Sequence, residues 1–212
     1  MLLALALTWS GAALSAAPEP ARAVDAGWIL AKLARPVPSR TVFVELRDSK
    51  LLKAPLRIAG EYRRPDADTL VREVRAPYAE TTTIHAGEVS IARSGKSTRR
   101  FSLSRAPELA GLQASFGALL SGDRKQLERH YALASDGSRK RWTLVLTPKD
   151  AAMAEKVRAI ALYGRGAELR CIETRPADGG EVQRTLLAGA AREAADATTA
   201  AALAALCHAA QG

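Results

Sequence analysis

The segment Ser94-Gly95-Lys96-Ser97 holds the residue types that close a phosphate-binding loop: a glycine for the tight turn, a lysine for phosphate charge and a hydroxyl for a metal ion. Such a loop also needs a glycine five positions before Gly95, and Ser90 stands there. The segment lies between two strand-like runs and not ahead of a helix, so it reads as a hairpin turn. Nucleophilic hydrolysis has no elbow to work from, because no Gly-x-Ser-x-Gly occurs. Acid–base catalysis needs converging titratable groups. His85, His130 and His208 are scattered along the chain, and no carboxylate pair is spaced to work on one face. Cys207-His208 is no metal motif, since structural zinc takes four ligands. An enzyme is not expected, and no cofactor or metal is implied. Cys171 and Cys207 lie 36 positions apart. In an oxidising compartment they can bridge, for about 3 to 4 kcal/mol by loop entropy; two buried free thiols are the alternative.

With chemistry set aside, the elements must account for the chain. Its 212 residues are 48% hydrophobic but only 5% aromatic, a length that suits one domain with a real core. Residues 1–23 read as a secretory signal: the apolar run MLLALALTWSGAALSAA breaks into small residues, with cleavage after Ala16 or after Ala23. The run is shorter than the roughly 20 apolar residues of a membrane span, and export to the periplasm is the expectation. The formal charge of +9 favours anionic surfaces, of which membrane head groups are nearer than nucleic acid to an exported protein. Arginines interleave the strand-like runs 54–62, 68–75 and 97–103, but Tyr62 and Phe101 are nearly their only aromatics. A nucleic-acid face would display stacking rings, so these arginines are expected on a solvated outer face.

From Asp25, a cap, an amphipathic helix carries Trp28, Ile29, Leu30 and Leu33 and stops at Pro36. Alternating runs follow at 41–48, 54–62, 68–75, 81–86, 88–94 and 97–104, with turns at Ala86-Gly87 and Ser94-Gly95. The period then changes. Leu109, Leu112, Phe116, Leu119 and Leu120 follow helical spacing between Pro107 and Gly122, a second amphipathic helix set among strands. After the polar helical turn 124–129 come strands near 130–135 and 141–147, joined at Asp136-Gly137, then 156–164, 167–175 and 181–189. Nine or ten strands in near-sequential order, without βαβ crossovers, predict an antiparallel sheet. Residues 189–212 are Ala-rich and read as a helix or a mobile tail. If the sheet curls and the helices cover its hollow side, a lined cavity arises of the kind that takes apolar ligands; a tightly packed core is the alternative.

A set of residues in this order resembles a known family. An N-terminal helix, Phe43-x-Glu45-x-Arg47, Gly60-Glu61-Tyr62-Arg63-Arg64-Pro65, Leu70, Ala76-Pro77, and Trp142 ahead of Leu144-x-Leu146-Thr147-Pro148-Lys149 look like the outer-membrane lipoprotein carriers of the LolA type. The resemblance runs from about Val24 to Leu187 and is closest to the LolA-related branch found beside lipid and polyene biosynthesis enzymes. It implies a mainly β fold with an α lid, a half-open antiparallel β-barrel over residues 24–188. It implies a monomeric periplasmic carrier of lipoprotein acyl chains, working between an inner-membrane transporter and an outer-membrane acceptor, with no nucleic-acid partner. A lipid- or lipoprotein-sensing domain and a carrier of a glycolipid or polyene lipid are the alternatives. The lipid site is then expected at Phe43, Leu56, Ile58, Leu70, Trp142, Leu144 and Leu146 on the sheet and Leu109, Leu112, Phe116, Leu119 and Leu120 on the lid. Arg64, before Pro65, matches the arginine that holds the family's lid closed.

Overall fold

The computed structural model describes residues 24–47, 55–102, 119, 121–195, 197 and 199–209. Helix α1 (Ala26–Leu33) starts where expected, with the Asp25 carboxylate accepting from Trp28 N at 3.0 Å. Six strands follow: β1 (Ser39–Arg47), β2 (Leu56–Arg64), β3 (Thr69–Ala76), β4 (Glu80–His85), β5 (Glu88–Arg93) and β6 (Arg99–Ser102). Then come α2 (Arg124–His130), β7 (Tyr131–Gly137), β8 (Trp142–Pro148), α3 (Ala151–Ala154), β9 (Val157–Arg165), β10 (Glu168–Pro176) and β11 (Gln183–Leu187). Two helices close the chain, α4 (Ala188–Glu193) and α5 (Ala200–His208).

The eleven strands, one or two more than the patterning suggested, form one antiparallel sheet in the order β6-β5-β4-β3-β2-β1-β11-β10-β9-β8-β7. It is a mainly antiparallel sheet not closed into a barrel. Two meanders run outward from a seam of β1 and β11, where Phe43 faces Leu187 and Val44 faces Leu186. The register sets two unlike faces, because neighbouring residues of a strand point to opposite sides. Phe43, Leu162, Ile172 and Leu187 join one apolar cluster, which α1, α2 and α3 cover through Ile29, Leu30, Leu33, Leu127 and Met153. Val44, Ala161, Cys171 and Leu186 join the other, covered by α4 and α5 through Ala190, Ala191, Leu203 and Cys207. We call these the front and the back.

The back cover is pinned at its far end. Cys171 of β10 and Cys207 of α5 form a disulfide, with Cα atoms 5.2 Å apart. One residue on, His208 Nε2 lies 2.8 Å from the Glu173 carboxylate, which is 1% exposed. Arg184 Nε donates to that carboxylate at 2.6 Å and Tyr163 Oη donates at 3.0 Å. Burial pushes the Glu173 carboxyl up, but the Arg184 hydrogen bond and charge, followed by Tyr163 and His208, outweigh burial and hold it below its usual range. A carboxylate held low when folded stabilises the fold fully above its unfolded value, near pH ~4.3, and loses that contribution as pH falls through the folded value. The melting-temperature gap between wild type and Glu173→Gln should therefore persist down to about pH 5 and close as pH falls below about pH 4. Arg175, which also pairs with Glu173 at 3.3 Å, and His208 are over a third exposed, so the gap corresponds to only about 1 to 2 kcal/mol. A gap that persists unchanged to pH 3 would show that the carboxylate contributes nothing through its charge.

One turn is displaced from the sequence reading. The β7–β8 connection does not turn at Asp136-Gly137; β7 runs through Gly137, and Ser138 and Arg141 close the turn with paired backbone bonds of 2.7 and 3.1 Å. Gly137, at φ 93°, makes the close approach, since a Cβ there would lie 2.4 Å from Arg141 O. The predicted helix bearing Leu109, Leu112, Phe116 and Leu120 lies outside the described residues.

Candidate lipid-binding cavity

A cavity of about 90 Å³ opens on the front, at the end of the sheet where α1 stops. Its walls come from chain ends: Leu33 and Arg35 after α1, Ser39 and Thr41 at the start of β1, Tyr62, Arg63 and Arg64 at the end of β2, and Leu70 at the start of β3. Leu119, the β9–β10 turn (Ala167, Glu168, Leu169) and the β11–α4 junction (Leu187, Ala188) complete it. The antiparallel register explains the gathering, because Ser39 pairs with Arg64 and Thr41 with Tyr62, which sets them on the same face. The lining is mainly apolar, interrupted by Arg35, Arg63, Arg64, Glu168 and the hydroxyls of Ser39 and Thr41.

Of the residues singled out in the sequence, Leu70, Leu119 and Arg64 stand on the cavity wall. Arg64 is buried, at 8% exposure. Phe43, Ile58, Trp142, Leu144 and Leu146 are buried in the front cluster, and Leu56 packs against it, but none of the six lines the cavity. The sequence reading missed the β9–β10 turn and the β11–α4 junction. Both are short connections without hydrophobic periodicity, and only the long-range pairing of β11 with β1 brings them to α1.

The front also holds charge that patterning assigned to the outside. Arg72, expected on a solvated face, pairs across the strand with Tyr62 and turns inward. It forms an ion pair with Glu45 and lies over the Phe43 ring at 4.7 Å from the centroid. Burial draws the Arg72 guanidinium toward neutrality, yet the Glu45 charge together with Tyr62 and Tyr78 outweighs it and holds the group above its usual range. Burial, then the same Glu45 charge, keeps the Tyr62 phenol protonated. Arg72 was misread because a lone arginine in an alternating strand reads as outward, and its partner Glu45 is 27 residues away. The pair stiffens the wall beside Tyr62 without placing a titrating group in the cavity.

The sequence match decides what this architecture is: residues 16–210 fit the family described as outer membrane lipoprotein carrier protein LolA-like. The chain belongs to the LolA-like family. No curated protein matches it in sequence. Among solved structures it is similar to the LolA superfamily protein NE2245 from Nitrosomonas europaea, at 14% identity and TM-score 0.40, over 78% of this chain and 92% of that one. It is similar to a chain of the Pseudomonas aeruginosa MucA/MucB complex, at 18% identity and TM-score 0.41, over 77% of this chain and 56% of that one. LprF from Mycobacterium bovis gives 14% identity and TM-score 0.32, over 77% and 91%. These are distant likenesses, and the assignment rests on the family match. The LolA-like fold is a binding and carrier fold, and no helix among the described residues is long and apolar enough to cross a membrane.

Proposed function

We propose that this LolA-like chain is a periplasmic carrier that takes an acyl chain of a lipoprotein or related lipid into the front cavity and delivers it toward the outer membrane. The observation that supports this reading is the cavity itself: a mainly apolar hollow at one end of a two-faced sheet, beside the end of α1. Each methylene buried there gains about 0.8 kcal/mol. The lid expected over a loaded chain is the helix that the spacing of Leu109, Leu112, Phe116, Leu119 and Leu120 predicts. Arg64 is its latch: its polar contact, about 1.5 to 3 kcal/mol, belongs to the closed, lipid-free state, so re-forming it on release competes with burial of the chain and helps drive the lipid out.

Uptake of a fluorescent fatty acid and its transfer to outer-membrane vesicles test the reading with two variants. Leu70→Asp puts a charge on the wall and should lower uptake at least about tenfold with the circular dichroism unchanged. Arg64→Leu should load as wild type does but deliver about tenfold more slowly. Full uptake by Leu70→Asp would remove the cavity from the function; delivery at the wild-type rate by Arg64→Leu would remove the latch.

A further inference from the structure

Four cations converge at the end of the sheet where the cavity opens. The tight β7–β8 turn places Arg139 and Lys140 at its tip, both exposed, with Arg141 beside them. The adjacent β9–β10 turn presents Arg165. Gly166 N donates to Lys140 O at 3.3 Å, and Trp142 Nε1 donates to Gly166 O at 2.9 Å. Trp142 is buried, so the two turns are held to each other and to the core. Together Arg139, Lys140, Arg141, Arg165 and Gly166 line an open groove of about 560 Å³, with no acidic residue among the described residues that line it.

Elsewhere in the fold arginines are neutralised in place: Arg72 by Glu45, Arg63 by Glu73, Arg93 by Glu80, and Arg184 by Glu173. The groove is built differently. Arg139 lies over the Trp28 ring at 5.5 Å and Arg165 donates to Ala209 O at 3.4 Å, contacts that supply no negative charge. Like charges gathered on two fixed turns repel, and an anion relieves that repulsion.

Its position says which anion. Gly166 lines the groove, and the next residue, Ala167, lines the apolar cavity. Arg35 on the cavity wall donates to Ala167 O at 2.9 Å and carries the positive rim across the junction. The surface thus passes within one turn from a mainly apolar wall, where Glu168 is held by Arg170 at 3.2 Å, to a cationic groove, a profile that matches an amphiphile whose tail enters the cavity and whose head rests on the groove. We propose that the groove binds the phosphate of a phosphate-bearing lipid head group while the cavity holds its chain; the inference rests on the acyl-binding reading above. Guanidinium forks suit phosphate oxygens, and a lysine supplies a point charge beside them.

Calorimetric titration of the mature chain with dodecyl phosphate, with the uncharged monolaurin of equal chain length and with inorganic phosphate, all below micelle formation, tests this. Dodecyl phosphate should bind at least about tenfold more tightly than monolaurin. In Arg139→Gln/Lys140→Gln/Arg165→Gln that advantage should fall to within about twofold while monolaurin affinity stays unchanged, which also shows the variant folded. Lys140→Gln alone, at the exposed tip, should lose about threefold for dodecyl phosphate only. Equal affinity of the two amphiphiles for wild type would overturn the head-group site and leave acyl binding standing. Binding of neither would bring down the acyl reading, and this inference with it. Inorganic phosphate bound as tightly as dodecyl phosphate would make the groove a free-anion site and overturn the proposal. A triple variant that loses monolaurin as well would overturn a head site separate from the cavity.

Discussion

Gly60→Ala should lower the melting temperature by roughly 10 °C, because a single methyl at this position has nowhere to go. A Cβ on Gly60 would stand 1.9 Å from the backbone oxygen of Glu73 and 2.9 Å from Phe43 Cε1. The first obstacle is the neighbouring strand itself, at the register shift between Ala59 and Gly60, so no rotamer change can relieve it. β2 and β3 would have to part, at about 3 kcal/mol or more. The damage would reach the cavity, since the Phe43 ring occupies the space that Gly60 leaves, packs tilted by 40° against Tyr62 of the cavity wall with centroids 4.8 Å apart, and lies under Arg72. Thermal unfolding of the Ala variant within about 2 °C of wild type would show that the strands tolerate the methyl.

Reduction of the disulfide should have an effect of similar size at the opposite face. Joining Cys171 to Cys207 closes a loop of 36 positions, for which chain entropy gives about 4 kcal/mol. In a domain of this size that is roughly 10 °C of melting temperature. Only Leu203 and Cys207 of α5 are buried, so little else fastens the helix to the sheet once the bridge is gone. Cys171→Ser/Cys207→Ser should match the reduced wild type in melting temperature and exchange its α5 amides faster, while the front of the sheet keeps its protection. A melting temperature unmoved by reductant would show that α5 is held by Leu203 and by the His208–Glu173 contact alone.

What the sequence discloses and what it conceals follow from the range of each interaction. Strand identity is local: Leu56, Ile58 and Tyr62 alternate with Arg57, Ala59 and Glu61, and that alternation places them in β2 on opposite faces. The cap at Asp25 is equally local, three residues from the amide that it accepts. The antiparallel, unclosed sheet and the family could therefore be read from pattern and residue order. The buried charges could not. Glu173 is satisfied by Tyr163, Arg184 and His208, at separations of 10, 11 and 35 residues, and nothing in its own strand marks it as inward. The cavity was legible only in outline. Leu70, Leu119 and Arg64 were found from periodicity and resemblance, whereas Leu169, Leu187 and Ala188 reach the wall through a seam between the first and last strands. The basic groove escaped notice because the hairpin was centred on Asp136-Gly137, which hid the placement of Arg139 and Lys140 at the tip.

The central claim is that the front cavity carries lipid, and native mass spectrometry of the chain, purified without detergent from cells that export it, tests that most directly. The account predicts a population heavier than the bare protein by the mass of an acyl-bearing lipid, with the adduct lost on denaturation and depleted in Leu70→Asp. A folded, disulfide-bonded protein found only at its bare mass, in wild type and variant alike, would contradict it.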